Sequence, residues 1–174
     1  MRDTFKLVIG MLLLINLAAC NTLPRDKPPV DIPLTATEES PTAVANQSWM
    51  IVTEEYAEEK GIASWLAEGD GYWTPSEDDI LKLEEKIGEY LSQNPSQFYR
   101  QPPVWERLDE YQRQYIGIER GDKQIIYGNY FCDSGRVNWR EELVIVEDGG
   151  DCFFQIEYDV ESEVFIKLLV NGVS

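Results

Sequence analysis

Carboxylates are the side chains with which this sequence is best equipped to do chemistry. The chain has 32 aspartate and glutamate residues, 15 lysine and arginine residues and no histidine. The lack of histidine removes the commonest general base, the usual serine and cysteine triads and most zinc-site geometries. A carboxylate pair could serve a glycosidase-type hydrolase, but the spacing selects no pair. The sequence therefore predicts no catalytic residue, no metal ligand and no cofactor, and it favours a protein that is not an enzyme.

The acidic stretch from residue 147 to residue 151 is a candidate for a cation site. Asp148-Gly149-Gly150-Asp151 follows Glu147 and could gather carboxylates around calcium. A calcium loop of the EF-hand type needs alternating ligands and a distal glutamate at a fixed spacing, and this stretch has neither. We interpret it as the tight turn of a hairpin. The acids that crowd residues 77–89 are interpreted as the solvated face of a helix.

The net charge of −17 restricts the partners of this protein. An acidic surface repels phosphate backbones and anionic lipid headgroups, which makes nucleic acid a poor partner. The same charge permits a basic protein as partner. It is also what keeps many acidic proteins in solution, so charge alone does not identify a partner.

The first twenty residues have the features of an export signal. Arg2 and Lys6 give a short cationic start, and residues 7–18 are apolar except for Asn16. This apolar run is too short to span a bilayer comfortably and has the length of a signal h-region. It ends in Leu17-Ala18-Ala19-Cys20, which resembles the lipobox of bacterial lipoproteins.

The lipobox resemblance implies both an anchor and a location. It implies that residues 1–19 are a signal peptide and that Cys20 is acylated and becomes the new N-terminus. Lipid on this cysteine would hold the protein on a membrane surface without a transmembrane helix. The protein is then expected in the cell envelope, outside the cytoplasm. Asn21 is not the aspartate associated with inner-membrane retention, which favours the outer membrane in a host that has one.

The segment after the lipobox reads as a spacer. Residues 20–47 contain five prolines among threonine, serine and charged residues, and their hydrophobic residues do not recur with any period. Such a composition is typical of an extended tether. Residues 48–174 are then predicted to form a single domain.

Two helical regions are predicted at the start of this domain. Apolar residues between Trp49 and Leu66 are spaced untidily and predict one or two short helices. Thr74-Pro75-Ser76-Glu77 is a stronger start signal, with Thr74 as the cap, and the helix should end near Gln93. Its apolar residues fall three and four apart, as expected for one buried face.

Five strands are predicted after the helices. They cover Gln112–Glu119, Gln124–Cys132, Trp139–Val146, Cys152–Asp159 and Val164–Val170. The fourth alternates most clearly, with its even-numbered residues facing a core. In the fifth strand the even-numbered residues are expected to share one face. The fold class is therefore α+β, an antiparallel meander packed on a helix. It is similar in outline to the cystatins, although the Gln-x-Val-x-Gly inhibitory loop of that family is absent.

The two remaining cysteines give conflicting expectations. An oxidising compartment favours a disulfide between Cys132 and Cys152. In a five-stranded meander, however, the two residues lie at opposite ends of the sheet. Eight residues of strand separate them by roughly 25 Å, whereas a bridge needs a Cα–Cα distance of about 5.5 Å. We therefore expect free cysteines, and an observed bridge would contradict this strand layout.

A surplus of aromatic residues on the strands suggests a binding surface. We predict that it includes Phe153, Tyr127, Phe131, Trp139 and Arg140, because aromatic residues and arginine are enriched where proteins dock. The alternative is that the surplus aromatics pack beneath the segment from Trp49 to Leu66. The sequence thus favours a lipid-anchored envelope protein that binds another envelope or secreted protein. An inhibitor of a basic secreted hydrolase and a hydrolase that uses carboxylates are the two alternatives.

Overall fold

The computed structural model describes residues 47–62, 66 and 68–173. The predicted signal peptide (1–19), Cys20 and all of the predicted tether except residue 47 lie outside the described residues. The described helices and strands are, in chain order, β1 (Trp49–Val52), α1 (Glu54–Lys60), β2 (Gly71–Trp73), α2 (Glu77–Ser92), β3 (Gln112–Arg120), β4 (Lys123–Phe131), β5 (Phe153–Asp159) and β6 (Val164–Val170). Short 3-10 turns connect several of them. The predicted α+β class is confirmed.

The sheet is mixed and six-stranded, and its order is β1-β3-β4-β5-β6 with β2 beside β3. Strands β3 to β6 are consecutive antiparallel neighbours. The outer edge of β3 is shared, because β1 pairs with its first half in parallel and β2 with its second half in antiparallel orientation. A Cβ atom at Gly117 of β3 would lie 2.2 Å from the carbonyl oxygen of Trp73, so glycine is required where β2 approaches.

The prediction of helix at residues 49–52 was wrong. Trp49 and Ile51 pack on the side of the sheet that holds α2, while Met50 and Val52 pack on the opposite side. This is the period of two that defines a strand, and it was hidden because only four residues show it. The following α1 confirms one short helix in this region. Strand β2, with three residues, was missed altogether.

Helix α2 covers one side of the sheet. Ile80, Leu83, Ile87 and Leu91 are fully or almost fully buried, as their spacing predicts. Burying each of these side chains contributes about 1.5–3 kcal/mol. The predicted cap was wrong by two residues. Ser76 is the N-cap. Its hydroxyl accepts a hydrogen bond from the Asp79 backbone amide, and the Asp79 carboxylate accepts one from the Ser76 backbone amide.

The other side of the sheet holds a smaller core. Ala57 of α1 and Ile62 pack there against Ile116, Ile125 and a group of neighbouring apolar residues. The sheet therefore lies between two layers, with α2 on one side and α1, Ile62 and Leu66 on the other. None of the helices in the described ranges is long and apolar enough to cross a membrane.

The third predicted strand, Trp139–Val146, was wrong because this segment is irregular. It lies on the α1 side, where side-chain amides of the sheet replace a strand ladder. The Gln114 amide donates to the carbonyl oxygens of Trp139 and Glu142, both at 2.7 Å, and accepts the Val144 amide at 3.0 Å. Asn129 donates to the Val144 carbonyl oxygen at 2.8 Å. Both amide side chains are buried and hydrogen-bonded, so they can hold the segment without strand pairing.

Cys132 and Cys152 form a disulfide, so the expectation of free cysteines was also wrong. With no strand between them, β4 and β5 are direct neighbours, and Phe131 is opposite Phe153. The two cysteines therefore fall at the same end of the sheet, with their Cα atoms 5.1 Å apart. The bridge closes a sequence separation of 20 residues and links the two ends of the irregular segment.

Candidate functional site

Strand β6 is at one end of the sheet order and has two different faces. On the α2 side, Phe165, Leu168 and Val170 pack against the main core. Phe165 stacks on Tyr90 of α2 with ring centroids 4.4 Å apart, and it also contacts Tyr158. This face ties the strand to the domain. Its edge and its other face remain available for contacts.

The opposite face of β6 exposes aliphatic side chains. Val164, Ile166 and Leu169 are 48%, 45% and 54% exposed, respectively. A β-bulge causes part of this exposure, because Tyr158 pairs with Phe165 and Glu157 with Lys167, which leaves Ile166 as the extra residue. The prediction that the even-numbered residues of this strand share one face was wrong for this reason. A strand with unbroken alternation would not have left Ile166 unpaired.

Phe153 lies on the same face of the sheet as Leu169. Gln155 is opposite Leu169, and the Asn171 amide donates to the Phe153 carbonyl oxygen, so Phe153 is diagonal to Leu169. Its ring packs against the backbone of Gly149, where φ is 96° and a Cβ atom would lie 2.6 Å from the ring. Phe153 is half-buried. We define the β6 surface as Phe153, Val164, Ile166, Lys167 and Leu169.

The edge of β6 offers backbone groups as well as side chains. Because the Asn171 backbone amide donates to the Phe153 carbonyl oxygen, the alternation of an antiparallel ladder turns the amide and carbonyl groups of Leu168 and Val170 outward. In the described part of the chain no strand pairs with this edge. An edge of this kind can hydrogen-bond another strand.

A charged row runs beside the aliphatic side chains. Glu157 is only 3% exposed and lies between Arg120, at 2.8 Å, and Lys167, at 3.1 Å. Burial opposes its ionisation, but the hydrogen bonds from the two cations together outweigh this effect and lower the pKa of Glu157. Asp159 bonds Lys123 at 2.6 Å, and this bond lowers the pKa of Asp159. Both acids are therefore held as carboxylates and neutralised by neighbours.

The structure buries two of the other four predicted surface residues. Tyr127 and Phe131 are 4% and 0% exposed and belong to the interior. Tyr127 packs in the α1-side core, as the alternative explanation for surplus aromatics expects. Trp139 contacts the edge of the Phe131 ring, and the Arg140 guanidinium lies 4.0 Å from the centre of the Trp139 ring. Phe131 is directly opposite Phe153 on the neighbouring strand, but its side chain is buried and adds no exposed area, so of the five predicted residues only Phe153 belongs to the β6 surface.

A buried polar network beneath α2 was not predicted. Glu84 of α2 forms an ion pair with Arg113 of β3 at 3.0 Å and accepts a hydrogen bond from Tyr115. Tyr115 and Tyr130 share a further bond at 2.9 Å between their hydroxyl groups. Burial, together with the Glu84 charge, raises the pKa of both tyrosines well above the usual value. The Arg113 guanidinium also donates to the Leu108 and Tyr111 carbonyl oxygens.

This network has the chemistry of a structural link rather than of an acid–base site. Each charged group is neutralised within the network, and the tyrosines are kept protonated. One sequence signal could have revealed it. Arg113 and Tyr115 are two residues apart, so these polar side chains share the face of β3 that must meet α2. The partner on the helix, Glu84, could not be chosen among the many helix acids from spacing alone.

The predicted turn at residues 148–151 contains an acid with a structural role. Asp151 is 2% exposed, and its carboxylate accepts the amides of Tyr99 and Arg100 at 3.1 and 2.7 Å. Arg100 also forms an ion pair with it at 3.3 Å. The predicted hairpin turn is instead the 3-10 turn Gly150–Cys152. Within the described ranges, no three acid or cysteine side chains are placed to hold a metal ion.

A shallow cavity of about 650 Å³ lies at the C-terminal end of β6. Its lining includes Val170 of the strand and the side chains of Tyr99 and Val173, which are each 75% exposed. No charged side chain lines it. Ser96, Gln97 and Asn171 also line it, so the cavity is mainly polar, and no carboxylate is among its lining side chains.

The chain matches no protein-family model, no curated protein and no solved structure. The chemistry of its surfaces must therefore carry any functional conclusion. The β6 surface combines exposed aliphatic side chains with unpaired backbone groups, and these are the features with which proteins bind an extended chain.

Proposed function

We propose that this protein is a lipid-anchored envelope protein whose domain binds another protein and catalyses no reaction. The anchor rests on the resemblance of Leu17-Ala18-Ala19-Cys20 to a lipobox. The disulfide between Cys132 and Cys152 supports a location outside the cytoplasm, because such bonds persist in oxidising compartments. Residues 20–47 would space the domain from the membrane.

The single observation that carries the binding function is the exposure of β6. A strand with three aliphatic side chains about half exposed is unusual on a free-standing soluble domain, since proteins generally shorten, charge or cover such edges. Lys167 and the bulge give partial protection only, because Leu168 and Val170 keep their outward backbone groups. A partner that covers this surface would bury the aliphatic side chains and satisfy the backbone groups together.

The titratable groups support a binder over an enzyme. A carboxylate hydrolase needs one acid with a raised pKa in a cleft beside a second acid. The two buried acids next to β6 show the opposite behaviour, because their pKa values are lowered and each has a cationic partner. The inhibitor alternative is a special case of binding in which the partner is a basic hydrolase. The packing of α2 on β3 to β6 supports a cystatin-like outline only as an analogy of fold.

This function can be tested with two matched variants of the full chain. Leu169 and Leu81 are 54% and 53% exposed, but Leu169 lies on the β6 surface and Leu81 on α2. Partners are fixed in the living cell with a chemical cross-linker and isolated with wild type, Leu169→Ser and Leu81→Ser. We expect one protein to be recovered with wild type and Leu81→Ser and to be lost with Leu169→Ser. Equal recovery with both variants would refute docking at β6.

A further inference from the structure

We infer that the partner of β6 is an extended, basic segment of another protein, which adds to the sheet as a further strand. This inference rests on the proposed binding function and specifies the chemistry of the partner. This segment, the occupant of the β6 edge, has an aliphatic centre and lysine or arginine residues at both ends. Three properties of the surface lead to this description.

The first property is the pattern of free backbone groups. Leu168 and Val170 turn their amide and carbonyl groups outward, and an incoming strand can bond both residues in register. The bulge at Ile166 interrupts this pattern on the other side of Lys167. Strand addition is therefore confined to the part from Lys167 to Val170, so the occupant needs only a short extended segment.

The second property is the distribution of apolar side chains. Ile166 and Leu169 are about half exposed on the face away from α2, and Phe153 is half-buried beside Leu169. Side chains of an added strand alternate between the two faces of the sheet. Every second residue of the occupant would therefore contact these aliphatic and aromatic groups, which favours valine or isoleucine at those positions.

The third property is the charge at the two ends of β6. Glu161 and Glu163 are exposed just before the strand, where Glu163 forms an ion pair with Lys86 at 2.6 Å and also lies within the field of Lys82. Beyond the other end of β6, the side-chain amide of Asn171 donates to the Asp148 carbonyl oxygen. The exposed Glu147-Asp148 pair therefore lies at that end.

These charges indicate that the bound segment should be positively charged. In the middle of the strand, Lys167 shares the carboxylate of Glu157 with Arg120, so no acid there is left without a cation. The excess of acid therefore lies at the two ends, where it attracts cations. A second copy of this chain is disfavoured as occupant, because each copy carries a net charge of −17 and presents the same acidic ends.

The inference is tested with three synthetic peptides and the full chain solubilised in detergent. The first peptide alternates valine and threonine at its centre and carries lysines at both ends. The second replaces the lysines by glutamates, and the third keeps the lysines around a helix-forming centre of alanine and leucine. Binding is measured by calorimetry, and amide hydrogen exchange at Leu168 and Val170 is measured in parallel.

We expect only the basic extended peptide to bind and to slow exchange at both amides. Its affinity should fall at least about tenfold between low and high salt, because surface charges at the ends are screened. Leu169→Ser should weaken binding, and Leu81→Ser should not. The neutralised variant with Glu147→Gln and Asp148→Asn should bind more weakly and lose part of the salt dependence, while Leu168 and Val170 still become protected.

Other outcomes separate the failure of this inference from that of the proposed function. Equal binding of the acidic and basic extended peptides would reject the claim that the occupant is basic, but it would be consistent with docking at β6. Preferred binding of the helical peptide, or binding without protection of the two amides, would overturn strand addition. Dimers that dissociate on Leu169→Ser would identify a second copy as occupant and reject a basic partner. If none of the peptides bound, strand addition by a basic segment would be rejected.

Discussion

At the scale of single residues, this protein uses its charged side chains mainly to hold its layers together. Arg113 is 5% exposed and joins Glu84 of α2 to backbone carbonyls on the sheet side. Within the sheet, Glu157 of β5 pairs with Arg120 of β3 and Lys167 of β6, and Asp159 of β5 pairs with Lys123 of β4. Buried ion pairs of this kind are costly to break, because the remaining partner keeps its charge without compensation.

Arg113→Ala should lower the free energy of unfolding by about 3–5 kcal/mol. The substitution leaves Glu84 uncompensated beside two tyrosines and removes the donors of the Leu108 and Tyr111 carbonyl oxygens. Denaturant unfolding measures the loss. Lys60→Ala is the control, because its ion pair with Glu59 is exposed and should contribute less than about 1 kcal/mol. Similar losses in both variants would contradict the role of the network.

Glu157→Gln should change the acid stability of the protein. The pKa of Glu157 is lowered in the folded state, so its stabilisation is present above the ordinary value of 4.5 and is lost as pH falls through the folded value. The variant should therefore be less stable than wild type at about pH 7, and the difference in the free energy of unfolding should shrink in strong acid. Urea midpoints across this range measure it. A difference that is independent of pH would show that the carboxylate charge has no part in stability.

At the scale of the elements, the irregular segment between β4 and β5 is the most informative part of the fold. Its residues Leu143–Val146 have the composition of a strand, yet they pair with no strand. The amides of Gln114 and Asn129 hold them on the sheet, and the disulfide fixes both ends of the connection. The segment fills the α1 side in place of the missing strand, since Leu143 packs against that core.

Gln114→Ala should release this segment while the sheet remains intact. The buried side chain of Gln114 makes hydrogen bonds to Trp139, Glu142 and Val144, and its loss leaves their backbone groups without these partners. We expect a loss of about 1–3 kcal/mol and much faster hydrogen exchange at the Val144 amide. The exposed Gln124 of β4 provides the control, and Gln124→Ala should change stability by less than about 0.5 kcal/mol. Unchanged exchange at Val144 in Gln114→Ala would mean that the amide does not hold the segment.

The sequence predicted those elements whose pattern is local. Helix α2 and strands β3 to β6 were found within about two residues, because several turns or alternations show their period. The segment at residues 139–146 was misassigned because its conformation depends on Gln114 and Asn129, which precede it by 10 to 30 residues. The free-cysteine prediction failed with it, since removing the false strand brings Cys132 beside Cys152.

The candidate site was predictable only in part. Phe153 was predicted to be part of a binding surface, and it lies on the β6 surface. Ile166 was not, because the bulge opposite Glu157 and Tyr158 shifts the alternation of β6 and has no local signature in its sequence. Leu169 was also not singled out, although the alternation already placed it off the even-numbered face. Tyr127 and Phe131 were misjudged because the layers that bury them come from distant parts of the chain.

At the scale of the whole molecule, β6 is an exposed edge strand of an acidic, disulfide-bonded domain. Residues 20–47 and the lipobox would place this domain near a membrane surface. The net charge of −17 sets the sign of the field that an approaching partner meets. In the function that we propose, anchor, spacer and edge strand together let the protein capture a partner at the envelope.

Lipid attachment at Cys20 can be separated from the other cysteines. Cys20→Ser should abolish incorporation of a labelled fatty acid and release the protein from the membrane fraction. The matched control replaces both Cys132 and Cys152 by serine, which removes the bridge but keeps the lipobox. This control should still take up the label. Labelling of Cys20→Ser, or loss of labelling in the control alone, would contradict the anchor.

The most direct measurement of the central claim is site-specific photo-cross-linking of the full chain in living cells. A photoreactive amino acid replaces Ile166, Leu169 or Leu81, which have similar exposure but lie on β6 or on α2. Docking at β6 predicts that positions 166 and 169 give the same cross-linked protein and that position 81 does not. A product from position 81 without products from β6 would place the partner elsewhere and contradict the account.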